Sequence, residues 1–269
     1  MSFRSNREKY MEVIRDFRLI DDDFMSKVFE DKACAELLLH IILEDDTLEV
    51  VEAKSQYEIK NLQGRSVRLD ILAKDATGKY FNVEVQRSDQ GAVAKRARYN
   101  SSLLDANIAH PGDEYQQLGA TYVIFITEKD VLKGNLPIYH IDRMVRETGE
   151  LFPDEAHILY VNSQIQDQTR LGLLMQDFYR RNPEDMHYNL LRDRSRHFKS
   201  EEGANSMCRA VEKLVEEGRD EGRDEMWLSE KMLVYKKLLK MGYSDEQMLD
   251  FMEVTPAELE RVKKAAAEA

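Results

Sequence analysis

Two short segments of the chain alternate between apolar and polar positions. Val67, Leu69 and Ile71 alternate with Arg68, Asp70 and Leu72; Phe81, Val83 and Val85 alternate with Asn82, Glu84 and Gln86. A period of two is the mark of a strand with one buried face. Asp75 to Lys79 holds Gly78 among turn formers, so the spacing predicts a hairpin over residues 68–86. The two apolar sets share a face only when paired residue numbers have an even sum. Pairing Lys74 with Tyr80 meets that condition. It sets Asp70 opposite Glu84 and Arg68 opposite Gln86. Directly opposed Cβ atoms lie about 5 Å apart, close enough for two carboxylates to share one cation.

The rest of the pattern predicts an α/β domain. Residues 6–20 read as a helix, 24–43 as one largely buried helix, and 48–60 as a strand closed by a turn at 61–64. Residues 90–106 read as a helix capped by Ser88 or Asp89, with Lys95, Arg98 or Tyr99, and Ser102 on one face. TYVIFIT, at 121–127, and HILYVN, at 157–162, read as central strands of a mixed sheet. After about residue 166, helix formers dominate. Residues 203–240 read as a charged helical connector that includes the repeat EGRDEGRD, Glu217 to Asp224. Ser244 with Gln247, and Thr255-Pro256-Ala257-Glu258, open two short tail helices. The expected organisation is a core over residues 1–200 and a helical appendage over 201–269.

Composition narrows the class. The chain has 269 residues, 42% of them hydrophobic. Its apolar run LLLHIIL falls far short of the ~20 residues that span a membrane, and MSFRSNREKY has no apolar signal region. Cys34 and Cys208 lie far apart, and the six histidines form no HxH or HxxxH pattern. These features predict a cytoplasmic protein with neither a disulfide framework nor a zinc site.

A formal net charge of −12 opposes nucleic-acid binding. Two local stretches reverse it. Arg87 to Asn100 holds four basic residues and one acid; Arg180 to Lys199 holds six and three. The expected DNA contacts are therefore Arg87, Lys95, Arg96, Arg98 and Tyr99, with Arg192, Arg194 and Arg196. The last 26 residues hold seven acids and three basic residues, which favours packing or self-association of the tail helices over DNA reading.

Two opposed carboxylates repel each other unless a cation lies between them. Their hard oxygens favour Mg²⁺, with Mn²⁺ as substitute. Gln86 cannot act as a base but can orient water. The alternative from spacing alone is a solvated polar face on an ordinary hairpin.

The Asp70…Glu84-Val85-Gln86 pattern on adjacent strands resembles the PD-(D/E)XK nuclease superfamily, with Gln86 where lysine is usual. DDDFMSKVFEDKACAELLLHIIL, DEYQQLGATYVIFITEKD, LPIYHIDR and DEAHILYVN extend the resemblance to its transposase-associated, Rpn-type branch over roughly residues 18–200. It implies a restriction-endonuclease-like core and Mg²⁺-dependent hydrolysis of DNA. It also implies Asp70, Glu84 and the Val85 carbonyl as metal ligands and Gln86 as the residue that positions water. The family's acid from the first helix falls on Glu36. A descendant that keeps the fold as a DNA-binding or protein-interaction module, with little or no catalysis, is the other reading.

Overall fold

The computed structural model describes residues 6–61, 65–87, 91–112, 114–200, 202–203, 207, 227–229, 231–239, 241, 243–252 and 254–268. The chain divides into two compact units, Met1–Cys208 and Arg209–Ala269. The first is built on six strands: β1 Val50–Ile59, β2 Val67–Asp75, β3 Tyr80–Gln86, β4 Thr121–Thr127, β5 Ile138–Ile141 and β6 Ala156–Asn162. Their order is β1-β2-β3-β4-β6-β5. β1, β2 and β3 run antiparallel, β3, β4 and β6 parallel, and β5 closes the edge antiparallel to β6. The helices are α1 Asn6–Asp16, α2 Asp22–Phe29, α3 Lys32–Leu43, α4 Ala94–Ile108, α5 Arg170–Tyr179 and α6 Asn189–Lys199. This is the expected mixed-sheet α/β architecture.

The hairpin has the expected register. Lys74 pairs with Tyr80, Ala73 with Phe81, Leu72 with Asn82 and Ile71 with Val83. The turn is held by Asp75, whose Oδ1 accepts from the Thr77 N–H at 2.9 Å and the Lys79 N–H at 2.8 Å. Gly78 takes φ 93°, a left-handed conformation that glycine adopts without a Cβ clash.

One-sided burial of the hairpin does not hold for β3. Residues 81–85 are all buried. The parallel register places Asn82 beside Val123 and Glu84 beside Phe125, so these residues share a face of the sheet. Ala92 and Ala97 pack on that same face with Val123, Phe125 and Tyr160. The polar positions of β3 therefore lie beneath the α4 segment instead of facing water. Phe81, Val83 and Val85 are buried on the opposite face with Ile124 and Ile126.

The helix expected over residues 24–43 is two helices. Asp31 is extended, at φ −75° and ψ 125°, and its carboxylate accepts from the N–H groups of Ala33 and Cys34. That N-cap starts α3 afresh. α4 begins at Ala94, with Val93 as its cap residue; the caps expected at Ser88 and Asp89 lie outside the described residues.

The second unit contains α7 Asp245–Met252 and α8 Pro256–Glu268. Both expected capping boxes form. Gln247 Oε1 accepts from the Ser244 N–H at 2.9 Å, and Glu258 Oε2 from the Thr255 N–H at 2.7 Å. Leu238, Met248, Met252, Leu259 and Val262 form its core. The EGRDEGRD repeat lies outside the described residues. Among the described residues, no helix is long and apolar enough to cross a membrane.

Candidate active site

The β2–β3 ladder stops at Ile71 and Val83, and the next opposed pair is Asp70 and Glu84. Beyond that point a side chain takes over from the backbone: Asp70 Oδ2 accepts from the Val85 N–H at 3.0 Å. Asp70 is 6% exposed and Glu84 is wholly buried. Glu84 Oε2 accepts from Arg96 Nη2 at 2.9 Å. Among the described residues its other oxygen, Oε1, is buried and makes no hydrogen bond of ordinary geometry, although the Asn82 side chain and the Asp70 N–H both favour the charged form of the carboxyl. Arg96 reaches across from α4, and its Nη1 also donates to Gln86 Oε1 at 3.2 Å and to the Gly91 carbonyl at 2.9 Å.

Burial sets the electrostatics. It pushes the Asp70 carboxyl well above the usual carboxylate range; the charges of Glu84 and Asp22 push it further, against the Val85 N–H and Arg96. Burial likewise raises Glu84, with Arg96 the main opposing influence. Both shifts describe a pair that lacks enough positive charge to be comfortably ionised.

A third acid, Asp22, lies at the cleft, and the sequence pattern does not single it out. It begins α2, lines the same cleft as Asp70 and Gln86, and accepts from Gln56 Nε2 at 3.4 Å. Loss of hydration raises its carboxyl, opposed chiefly by Arg68. Asp22 keeps an exposed edge at the rim, so water screens it more than the buried pair. In sequence it looks like an ordinary acid in a helix first turn; only the packing of α2 against the hairpin brings it to the cleft.

Glu36 is not brought to this cluster. Its Oε2 accepts from the Val50 N–H at 2.8 Å. Val50 pairs with Asp75, five residues along β2 from Asp70, or ~17 Å at the strand rise. Its half-buried carboxylate is satisfied by a backbone donor at the start of β1.

The cleft, about 990 Å³, places basic groups beside Asp22 and Asp70, while Glu84 is wholly buried and does not line it. Lys95 lines it as expected. Arg65 and Arg68, which are not among the contacts expected from the sequence, line it too. Arg98 is exposed on α4 but is not among the lining residues. Tyr99 lines the cleft, yet its hydroxyl donates to the Arg65 carbonyl at 2.5 Å and accepts from Asn61 Nδ2 at 3.2 Å, tying α4 to the β1–β2 connection. Arg87 is paired with Asp21 at 3.0 Å and Glu128 at 3.5 Å. Arg192, Arg194 and Arg196 do not join the cleft. Arg192 donates to Asn189 Oδ1 at 2.7 Å, Arg194 lies 4.7 Å from the Phe198 ring centroid, and Arg196 pairs with Glu184 at 2.7 Å and Asp193 at 2.8 Å. Partners close at hand on and beside α6 hold all three.

The donors suit a hard divalent cation. Asp70 and Glu84 offer carboxylate oxygens, and one of these, Glu84 Oε1, is buried without a hydrogen bond of ordinary geometry among the described residues. Among the described residues, no group of three or more His, Cys, Asp or Glu forms a metal-holding cluster; side-chain amides, backbone carbonyls and water are the other oxygen donors such an ion accepts. The Val85 N–H faces Asp70, and in a strand the carbonyl of a residue leaves on the same edge as its N–H.

Both carboxyls keep their protons in the folded chain at pH values where the unfolded chain has lost them. Their contribution therefore favours folding most below the ordinary carboxylate range, about pH 4, and weakens as pH rises towards neutrality. Metal-free protein should show a melting temperature that falls between about pH 5 and pH 8, with Asp70→Asn reducing the fall. Equal slopes in wild type and variant would contradict this electrostatic picture.

Residues 24–170 match the family described as PD-(D/E)XK nuclease family transposase. No curated protein and no solved structure matches the chain. The matched span covers more than half of the 269 residues and includes the hairpin, the acid pair and α4. This chain belongs to the PD-(D/E)XK nuclease family of transposases.

Proposed function

We propose that the cleft is the active site of a divalent-metal-dependent DNA endonuclease serving a mobile element. One observation carries the reading: two buried carboxylates face each other across β2 and β3, with a Glu84 oxygen that makes no hydrogen bond of ordinary geometry among the described residues, beside a rim of arginine and lysine. Asp70, Glu84 and the Val85 carbonyl are the residues that would hold Mg²⁺ or Mn²⁺. Such an ion, when bound, supplies an activated water and stabilises charge on phosphate. Asp22 adds negative charge from the rim and can accept from a hydration water. Gln86 orients the attacking water by hydrogen bonding, having no proton-accepting base of its own. Arg65, Arg68 and Lys95 hold the backbone of the DNA, and Arg98 extends that surface along α4. The walls formed by β2 and α4 keep bulk water from the buried pair.

One contact favours the second reading, a DNA-binding module with little or no catalysis. The Arg96 guanidinium already lies against Glu84, 2.9 Å from Oε2. Supercoiled plasmid with Mg²⁺, Mn²⁺ or chelator separates the two. Metal-dependent nicking supports the endonuclease. Salt-sensitive binding without nicking supports the module.

Asp70→Ala and Glu84→Ala should each slow cleavage by at least about 10³-fold, ~4 kcal/mol of barrier, while the protein still folds. Cleavage at the wild-type rate by either variant would remove the assigned site.

Replacing Arg65, Arg68 and Lys95 together by alanine should weaken binding to all DNA sequences alike. The slope of log affinity against log salt should fall by about one unit for each phosphate no longer neutralised. Arg196→Ala, whose guanidinium is paired with Glu184 and Asp193, should leave the slope unchanged. The reverse pattern would move the DNA surface to α6.

A further inference from the structure

The motif named in the family's description, PD-(D/E)XK, ends in lysine, and this chain has Gln86 at that place. The third motif position therefore carries no charge. Yet Glu84, two residues earlier on the same face of β3, is wholly buried. A buried carboxyl is held in its charged form only by a charged partner or donors close by, and the charged partner present is Arg96 of α4, with Nη2 2.9 Å from Glu84 Oε2.

We infer that Arg96 is the positioning residue that replaces the motif lysine, carrying its charge from α4 and fixing the Gln86 amide from the same side. The inference rests on the nuclease reading of the cleft and names which residue supplies its fixed positive charge. A guanidinium has five donors and no acceptor. It can meet Gln86 only through Oε1, as the 3.2 Å contact with Nη1 shows. Gln86 Nε2 is then left as the amide's free donor. Two further features lock the arrangement. The Gly91 carbonyl accepts from Arg96 Nη1 at 2.9 Å. A Cβ at Gly91 would lie 1.8 Å from Gln86 Oε1, so a side chain there would evict the amide from its place. Beneath them, the Phe125 ring centroid lies 6.0 Å from the guanidinium carbon, within reach of a cation–π contact.

The test moves the charge from helix to strand. Arg96→Gln strands Glu84 and should lower the melting temperature of the metal-free full chain by about 5 to 10 °C. It should also tighten Mn²⁺ binding, measured by calorimetry, at least about tenfold, because a cation beside the acids is gone. Adding Gln86→Lys to Arg96→Gln returns the charge from β3 and should bring both values back towards wild type. An arginine that merely pins α4 through Gly91 cannot be replaced from β3. If the double variant stays where Arg96→Gln left it in both measurements, the inference is overturned. Should Arg96→Gln alone fail to fold, circular dichroism of the double variant decides: a wild-type spectrum supports the inference and an unfolded one overturns it. The thermal measurement uses neither metal nor DNA. Failure of wild-type protein to cut DNA would thus remove the nuclease reading while leaving this result legible.

Discussion

Two carboxylates withdrawn from water on opposed residues, whose Cβ atoms lie about 5 Å apart, lose hydration and repel each other when ionised. Asp70 and Glu84 are in that position because β2 and β3 pair in one register only, and because the α4 segment buries the face on which they stand. Folding supplies partial answers. The Val85 N–H donates to Asp70, and Arg96 donates to Glu84. One Glu84 oxygen is left over, buried and, among the described residues, without a hydrogen bond of ordinary geometry. An ordinary hairpin would turn such residues to solvent. Here they are buried and their charge is incompletely balanced, which is the basis of the proposed cation site.

The same helix bears on how an acidic chain could hold the DNA substrate proposed for it. The formal charge of −12 is a property of the whole surface, whereas phosphate responds to charges within about a Debye length. Arg65 and Arg68 reach the cleft from the start of β2 and the residues before it, and Lys95 and Arg96 from α4. Tyr99 fastens these two sides by donating to the Arg65 carbonyl. The basic groups are thus concentrated on one opening, and acids elsewhere cost little there.

Much of the fold was legible because it depends on local pattern. Period-two alternation marked β2 and β3, parity limited their register to even sums, and pairing Lys74 with Tyr80 across the turn set Asp70 opposite Glu84. The capping boxes at Ser244 and Thr255 were legible for the same reason. What failed depended on partners distant in sequence. Glu36 on an apolar helix signalled that its carboxylate needed a partner, but could not reveal that the partner is the Val50 N–H. Asp22 looked like an ordinary helix-start acid until α2 packed against the hairpin. Arg96 was legible as a cation, but its ion pair with Glu84 was not. The break at Asp31 was hidden because a capping acid flanked by Glu30 and Lys32 reads equally well as the polar face of one continuous helix. The polar face of β3 read as solvated because alternation marks polarity and says nothing of a helix lying over it.

The central claim is that the Asp70–Glu84 pair is a cation site. Diffraction from crystals grown with Mn²⁺, collected to locate the anomalous signal, tests it most directly. The account predicts one strong peak within bonding distance of carboxylate oxygens from both Asp70 and Glu84, absent from crystals of Asp70→Asn. A strong peak bound elsewhere, or no peak at the pair with the Arg96 guanidinium still against Glu84, would contradict it.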